Sequence, residues 1–390
     1  MQDQARWGVP TLAFGTFAVG TCEFVLAGVL GPVSTSLEVT LAAAGQVVTA
    51  FALTCAVLAP VLATATASWP RRRVLALAVL TYLLGVVGTA LAPSFAAVLV
   101  AQVIAAAGAG LFVPTAAVTA AALVPAERSG RAIAVVTTGF TAATALGAPI
   151  GTALGGLLGW RATMWFVAAL AVLGLAGLFA LIPRHVATPA PVPLAQRLAP
   201  LRSRRVLAVL TTTLLAFTAV YIPYTYMSAV FAPATGGSGV RLAVLMFVIG
   251  VVGTLGNLGA GALADRFGGH RVVGVALTGL TVVLLAIPLI TGSFPLSVLL
   301  IALYGAMAFA ITTPQQHRLI TLEPESAPVL VSLNAAVLYL AISLSGIVGA
   351  IGIDTVGANL ISAVAAVVAI GALALSEIAH RTRRLEGSLR

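Results

Sequence analysis

The chain has 390 residues, of which 60% are hydrophobic and only 8% charged, and its mean hydropathy of +1.12 is far outside the balance that water solvates as a folded domain. Its formal charge of +10 rests on twenty basic residues, all arginine, and these fall in short polar breaks between long apolar runs rather than in a nucleic-acid-binding patch. Soluble enzymes, nucleic-acid binders and disulfide-stapled secreted domains are thereby excluded.

A helix needs roughly 20 mostly apolar residues to cross the hydrocarbon core. Breaks at charges, Pro and Gly leave twelve such runs, predicted to begin near Val9, Leu41, Val74, Phe95, Ala132, Ala162, Val206, Val240, Val272, Pro295, Val329 and Gly357. Backbone groups in lipid must pair within their own segment, and the period-two alternation of a barrel is absent, so the fold class is all-α integral membrane. Arg6 precedes the first run and no convincing small-residue cleavage site follows it, so this run is expected to stay rather than be removed as a signal peptide.

In the first run Glu23 is the one acidic residue well inside a span. An ionisable group in lipid is costly enough to mark function by default. Helical spacing puts Glu23 with Thr16, Gly20, Ala27 and Gly31, a small and partly polar face suited to the bundle interior. It reads as a proton carrier or a counter-charge for a cationic substrate, against the plainer reading of a protonated Glu hydrogen-bonded to a neighbouring helix. Cys22 and Cys55 lie inside spans and read as buried, unpaired thiols.

Mid-span Gln46, Gln102, Asn257, Gln315, Gln316 and Asn334 need partners or water in the membrane. Gln102 and Asn334 sit deepest and are the preferred cavity candidates, with Asn257 also a candidate; Gln315 and Gln316 lie nearer the cytoplasmic end, where solvent suffices. Gly108-Ala109-Gly110 lacks the strand and turn of a nucleotide site, so no ATP use or other cofactor is indicated.

The fifth run places Gly139, Ala143, Gly147, Gly151, Gly155 and Gly159 four residues apart, leaving one side of the helix nearly bare for close approach. Pro149 is predicted to kink it. The stripe reads either as a tight seam between two halves or as ordinary membrane-helix packing. The seventh run carries Tyr221, Pro223, Tyr224 and Tyr226; phenol rings can stack on an aromatic or cationic guest, or Tyr224 and Tyr226 can be interfacial belt aromatics. Asp354 and Glu377 take structural readings, Glu377 pairing with His380 and Arg381 along one helical face. His185, His270, His317 and His380 are expected to be too scattered for a metal site.

Eighteen arginines share one side of this arrangement: Arg6, Arg71 to Arg73, Arg128, Arg131, Arg184, Arg197, Arg202, Arg204, Arg205, Arg266, Arg271, Arg318, Arg381, Arg383, Arg384 and Arg390. Only Arg161 and Arg241 fall on the other. Both termini are therefore expected to be cytoplasmic. The Pro-rich break at 184–205, with Pro189, Pro191, Pro193 and Pro200, reads as a cytoplasmic linker between a bundle at 1–183 and another at 206–390. Ala67 through Arg73 matches Asp265 through Arg271 at an offset of 198 residues, and Pro125 matches Pro324 within one residue of that offset. The same offset pairs Glu23 with Tyr221. A six-plus-six repeat suggests alternating access to a site near the membrane midplane, with a channel or sensor as the rival class.

Several segments carry a more specific resemblance: Gly20-Thr21-Cys22-Glu23-Phe24, Gly147-Ala148-Pro149-Ile150-Gly151 with Gly155-Gly156 and Gly159-Trp160-Arg161, and Gly261-Ala262-Leu263-Ala264-Asp265-Arg266-Phe267-Gly268-Gly269-His270-Arg271. The chain resembles the major facilitator superfamily, and within it the twelve-helix drug:proton antiporters of the chloramphenicol-resistance and arabinose-efflux type. The resemblance implies a major facilitator fold in a bacterial inner membrane, acting as a monomer that exports a small amphipathic or aromatic substrate against protons. It assigns Gly147, Pro149, Gly151 and Gly155 to the antiporter motif, and Asp265, Arg266, Gly268 and Arg271 to a cytoplasmic gating turn. Ala67 and Pro70 stand where the family usually has Asp and Gly, and Gln102 where it usually has Arg. A sugar or metabolite exporter or facilitator without proton coupling is the alternative within transport.

Overall fold

The computed structural model describes residues 2–184, 186 and 198–388, with side chains over 7–184, 186 and 198–380. Among the described residues twelve helices are long and apolar enough to cross a membrane. They are α1 (Trp7–Ser36), α2 (Leu41–Ala65), α3 (Arg71–Leu91), α4 (Phe95–Ala122), α5 (Ala126–Leu158), α6 (Trp160–Leu181), α7 (Arg204–Thr225), α8 (Gly239–Phe267), α9 (Gly269–Ile290), α10 (Phe294–Leu322), α11 (Pro324–Val356) and α12 (Ile361–His380). The all-α expectation holds, and the helix starts lie within a few residues of those predicted.

The largest differences are at α5 and α11, which begin at Ala126 and Pro324 rather than near Ala132 and Val329. Both open with a single 3-10 turn, Ala126–Arg128 and Pro324–Ser326. Their charged residues, Glu127, Arg128 and Glu325, are loop-like in composition, yet the adjacent prolines pre-set the backbone for a helical start. The internal repeat is plain in the helix starts: Leu41 and Gly239, Arg71 and Gly269, and Ala126 and Pro324 each lie 198 residues apart.

The chain forms two compact units, Met1–Val192 with Ser238–Phe247, and Pro193–Gly237 with Val248–Arg390. Most of the expected linker, including His185, Pro189, Pro191, Pro193 and Arg197, lies outside the described residues. What is described of its end is a 3-10 turn, Ala199–Arg202, after which Ser203 Oγ accepts from Val206 N at 3.4 Å to cap α7. The first turns of α8 belong with the first unit because Gly239 meets Gly156 backbone to backbone: a Cβ on Gly156 would stand 2.7 Å from Gly239 Cα.

Each unit is built round its first helix. The apolar window of α1 is 78% buried and that of α7 67%, more than any other span in its unit. Apolar helices gain little by hiding from lipid that is as apolar as themselves, so they cohere through close packing of small residues. Gly85 and Gly108 show this at the α3–α4 crossing, where added Cβ atoms would lie 2.2 Å from Ala105 N and 2.4 Å from Tyr82 N. In the second unit Gly256 packs against α10 in the same way, 2.7 Å from Ala306 O.

Gly108→Val would press a branched side chain into backbone that cannot yield, and overpacking of this kind costs about 1–3 kcal/mol. The purified variant should melt several degrees below the parent in detergent or fail to fold. Gly371→Ala, where nothing lies within 4 Å, should melt at or above the parent temperature.

Candidate transport site

In the first unit Glu23 lies midway along α1 and is 9% exposed. The helix that carries it is set by α5. Added Cβ atoms would fall 2.0 Å from Ala13 O at Gly139, 2.1 Å from Thr21 Oγ1 at Gly147 and 2.6 Å from Val25 Cγ2 at Gly151. Gly155 meets both α6 and α1, 2.7 Å from Thr163 Oγ1 and 3.0 Å from Val29 Cγ1, and the Thr163 hydroxyl donates to Gly151 O at 2.7 Å. The antiporter-motif glycines thus join α5 to α1 and α6 of their own unit. The residues turned toward the first turns of α8 are Gly156 and Thr152, whose hydroxyl donates to Met246 Sδ at 3.1 Å.

Pro149 is buried in the same stretch, and a π-turn precedes it. Ala143–Gly147 is π-helical, and Ala148 N reaches back to Ala143 O. Proline has no N–H to donate and its ring crowds the carbonyl four residues back, and one extra residue in the turn relieves both.

Beside Glu23 stands a dry polar cluster. Cys22, Cys55, Tyr82 and Gln102 are fully buried, with Cys22 next to Tyr82 and Gln102, and Glu23 close to both thiols and to Tyr82. The Tyr82 hydroxyl donates to Ala18 O on α1 at 2.8 Å. Gln102 Nε2 donates to Thr89 Oγ1 at 3.0 Å, fixing α4 to α3, while Gln102 Oε1 is buried with no hydrogen-bond partner. Phe24 and Phe140 meet edge to face, with centroids 5.0 Å apart, on the side of α1 that packs on α5.

The second unit gathers aromatic side chains on α7. Tyr221 is half-buried, with its ring centroid 6.4 Å from that of Phe217 and 5.7 Å from that of Tyr224, the latter pair edge to face. Tyr304 of α10 donates its hydroxyl to Val220 O. Pro223, Tyr224, Met227, Phe231, Ile249 and Tyr304 line a small apolar recess. Tyr226 is not a belt aromatic: it is fully buried, donates to Gly346 O at 2.7 Å, and lays its ring over Gly349.

Asn334 is buried on α11, with Oδ1 lacking a hydrogen-bond partner. Asn257 accepts from Thr313 N at 3.2 Å and from Thr313 Oγ1 at 2.8 Å, at the point where α10 is interrupted by a turn at Ala310 and Ile311. It therefore serves an N–H orphaned by the break. Gln315 departs from its solvent-facing expectation. It is fully buried and donates to Val209 O and Thr213 Oγ1 of α7 at 3.2 and 3.0 Å, while its Oε1 accepts from Arg318 at 2.7 Å.

Asp265, Arg266, Gly268 and Arg271 are all exposed at the α8–α9 turn. Gly268 has φ +87°, a conformation that favours glycine, and its N–H donates to Ala264 O at 2.9 Å. The Arg266 guanidinium lies 5.2 Å from the Phe267 ring centre. The histidines are less scattered than expected, since His270 and His380 stack. Glu377 bonds across to His270 rather than only along its own helix. Among the described residues no group of three or more His, Cys, Asp or Glu side chains is arranged to hold a metal ion.

Sequence reasoning missed Tyr82, Thr89 and Tyr304 as structural partners of the candidate residues. Each is a polar atom inside an apolar run, which signals a buried hydrogen bond but not its partner. Arg161 was read as a topology marker and as the end of the Gly159-Trp160-Arg161 segment, without a structural partner. It donates to Ala92 O at 2.9 Å and lies 4.4 Å from the Trp160 ring centre, tying the start of α6 to the end of α3.

Twelve apolar helices in two units, repeated at 198 residues, with polar groups buried inside each, define a polytopic membrane transporter. A model of the Major Facilitator Superfamily matches residues 12–350, and the chain belongs to that superfamily of secondary transporters. It is 31% identical over 350 residues to the uncharacterized MFS-type transporter YbcL of Bacillus subtilis, covering 90% of each chain. It is 31% identical over 365 residues to the inner membrane transport protein YdhP of Escherichia coli K12, covering 93% of each. A chloramphenicol resistance protein of Streptomyces lividans is 36% identical over 258 residues, 65% of this chain and 66% of its own. In fold, the chain superposes on a bacterial homolog of the human lysosomal transporter Spinster with a TM-score of 0.81, at 16% identity and over 98% of each chain.

With both thiols buried, a maleimide reagent should leave Cys22 and Cys55 unmodified in the native protein and label both after denaturation in SDS. Mass spectrometry of the intact chain reads the outcome; rapid native labelling of Cys22 would contradict the packing described around Glu23.

Proposed function

We propose that this transporter exports a small amphipathic or aromatic compound, such as a phenicol-type antibiotic, in exchange for protons. The observation that carries the reading is Glu23, a carboxyl group buried midway along the most enclosed helix of the first unit. An acid kept in a membrane interior at such cost is most economically explained by a proton that must be taken up and released there. The half-buried Tyr221, with Phe217 and Tyr224 beside it, supports an aromatic guest, since phenol rings offer both stacking faces and a hydrogen bond. The similarity to the Streptomyces chloramphenicol resistance protein supports a drug as cargo.

In this reading residues 1–183 and 206–390 act as two bundles that open alternately to either side, joined by 184–205 at the cytoplasmic face. The arginine asymmetry supports cytoplasmic termini, and the YdhP relative supports a bacterial inner membrane. No cofactor is required, and one chain suffices. Gln102 gives no charge to assist proton release, so the coupling depends on Glu23 itself.

Protein reconstituted in liposomes with an imposed pH gradient should accumulate chloramphenicol or a related amphipathic aromatic compound against its concentration gradient. Glu23→Gln should abolish accumulation while retaining exchange of labelled for unlabelled substrate. Accumulation undiminished in Glu23→Gln would remove Glu23 as the carrier, and flux that only equilibrates in the parent would favour a facilitator. Tyr221→Ala should raise the half-saturating concentration severalfold, in line with the roughly 0.5–1.5 kcal/mol an aromatic pair contributes.

A further inference from the structure

At the start of α9, beside the turn of α12 that carries Glu377 and His380, three titratable side chains from two helices come together. His270 Nε2 lies 3.2 Å from Glu377 Oε1, and the His270 and His380 rings lie face to face, with centroids 3.8 Å apart and planes 9° from parallel. The joint is only partly wet, with side-chain exposure of 19% at His270 and 42% at Glu377.

Among the described residues, other charged groups approach it from α10 and from the turn before α9. From α10, Arg318 donates to Gln315 Oε1 at 2.7 Å and to Ser376 Oγ, the residue before Glu377, at 3.0 Å. Its stem passes Gly269, where an added Cβ would be 3.2 Å from Arg318 Cγ. Arg271 on α9 is exposed beside His270. Asp265 and Arg266 precede the turn and are also exposed.

The charge state of the two rings decides what this joint does. With one proton shared between them, an imidazolium faces the Glu377 carboxylate and stacks on a neutral ring, so both contacts are attractive. With two protons, parallel cations stand 3.8 Å apart, already near Arg318. Like charges at that spacing couple their titrations, and imidazole changes charge between pH 5 and 8.

We propose that His270, His380 and Glu377 form a pH-sensitive clasp that holds this turn of α12 to the start of α9 near neutral pH and releases it when both imidazoles are protonated. The clasp makes this end of the second unit respond to the proton concentration on the side it faces. It is separate from Glu23 and stands whether or not transport is proton-coupled.

The test is a spin-label distance measurement on the full-length protein in nanodiscs, with Arg271→Cys and Ile378→Cys labelled and native Cys22 and Cys55 left in place. On going from pH 8 to pH 5 the interlabel distance should shift outward, and both His380→Gln and His270→Gln should remove the shift. An unchanged distance in the parent, or an equal shift in both Gln variants, would overturn the proposal. A histidine NMR titration of the unlabelled protein provides a second readout. His270 should titrate in two steps in the parent and in one in His380→Gln, and a single unperturbed step in both would also overturn it.

Discussion

The first unit depends on how closely α5 can approach α1. No water lies between helices in a bilayer to be released by burying apolar surface, so the helices must be held by contact itself. Gly139, Gly147 and Gly151 bring α5 so near α1 that any β-carbon would collide with Ala13 O, Thr21 or Val25. That approach fixes the rotation of α1, and the rotation fixes where Glu23 points. The π-turn ahead of Pro149 absorbs the missing N–H by widening one turn, in the same stretch in which the glycines meet α1.

The two units solve the same problem with different chemistry. The first has a buried acid on α1, with two buried thiols and a phenol in its electrostatic neighbourhood; in the second, the equivalent stretch of α7 presents aromatic rings. In both, a buried tyrosine from a neighbouring helix donates to a backbone carbonyl of the unit's first helix: Tyr82 to Ala18 and Tyr304 to Val220. A carbonyl has a second lone pair even when its helical bond is made, so such a bond anchors the central helix without breaking its ladder. The repeat therefore keeps an arrangement rather than residues.

Spans, their starts and the repeat were legible in the sequence because each depends on length and composition over about 20 residues. The charged helical starts at Ala126 and Pro324 escaped because composition argued for loop while proline geometry decided for helix. Individual polar residues were legible as exceptions but not as partners. Gln102 and Gln315 look alike in sequence, yet one ties α3 to α4 and the other α7 to α10. The meeting of His270 and His380 was invisible for the same reason: their contact depends on which turns of α9 and α12 lie at one level.

Taken together, these packings leave Glu23 as the group on which the functional account rests. The sharpest test is direct proton release: substrate added to purified protein in weakly buffered detergent solution with a pH-indicating dye. The account predicts that binding displaces protons from the parent protein near the pH at which Glu23 is protonated, and none from Glu23→Gln that still binds substrate. Equal release from both, or binding by the parent with no release at any pH from 5 to 9, would contradict it.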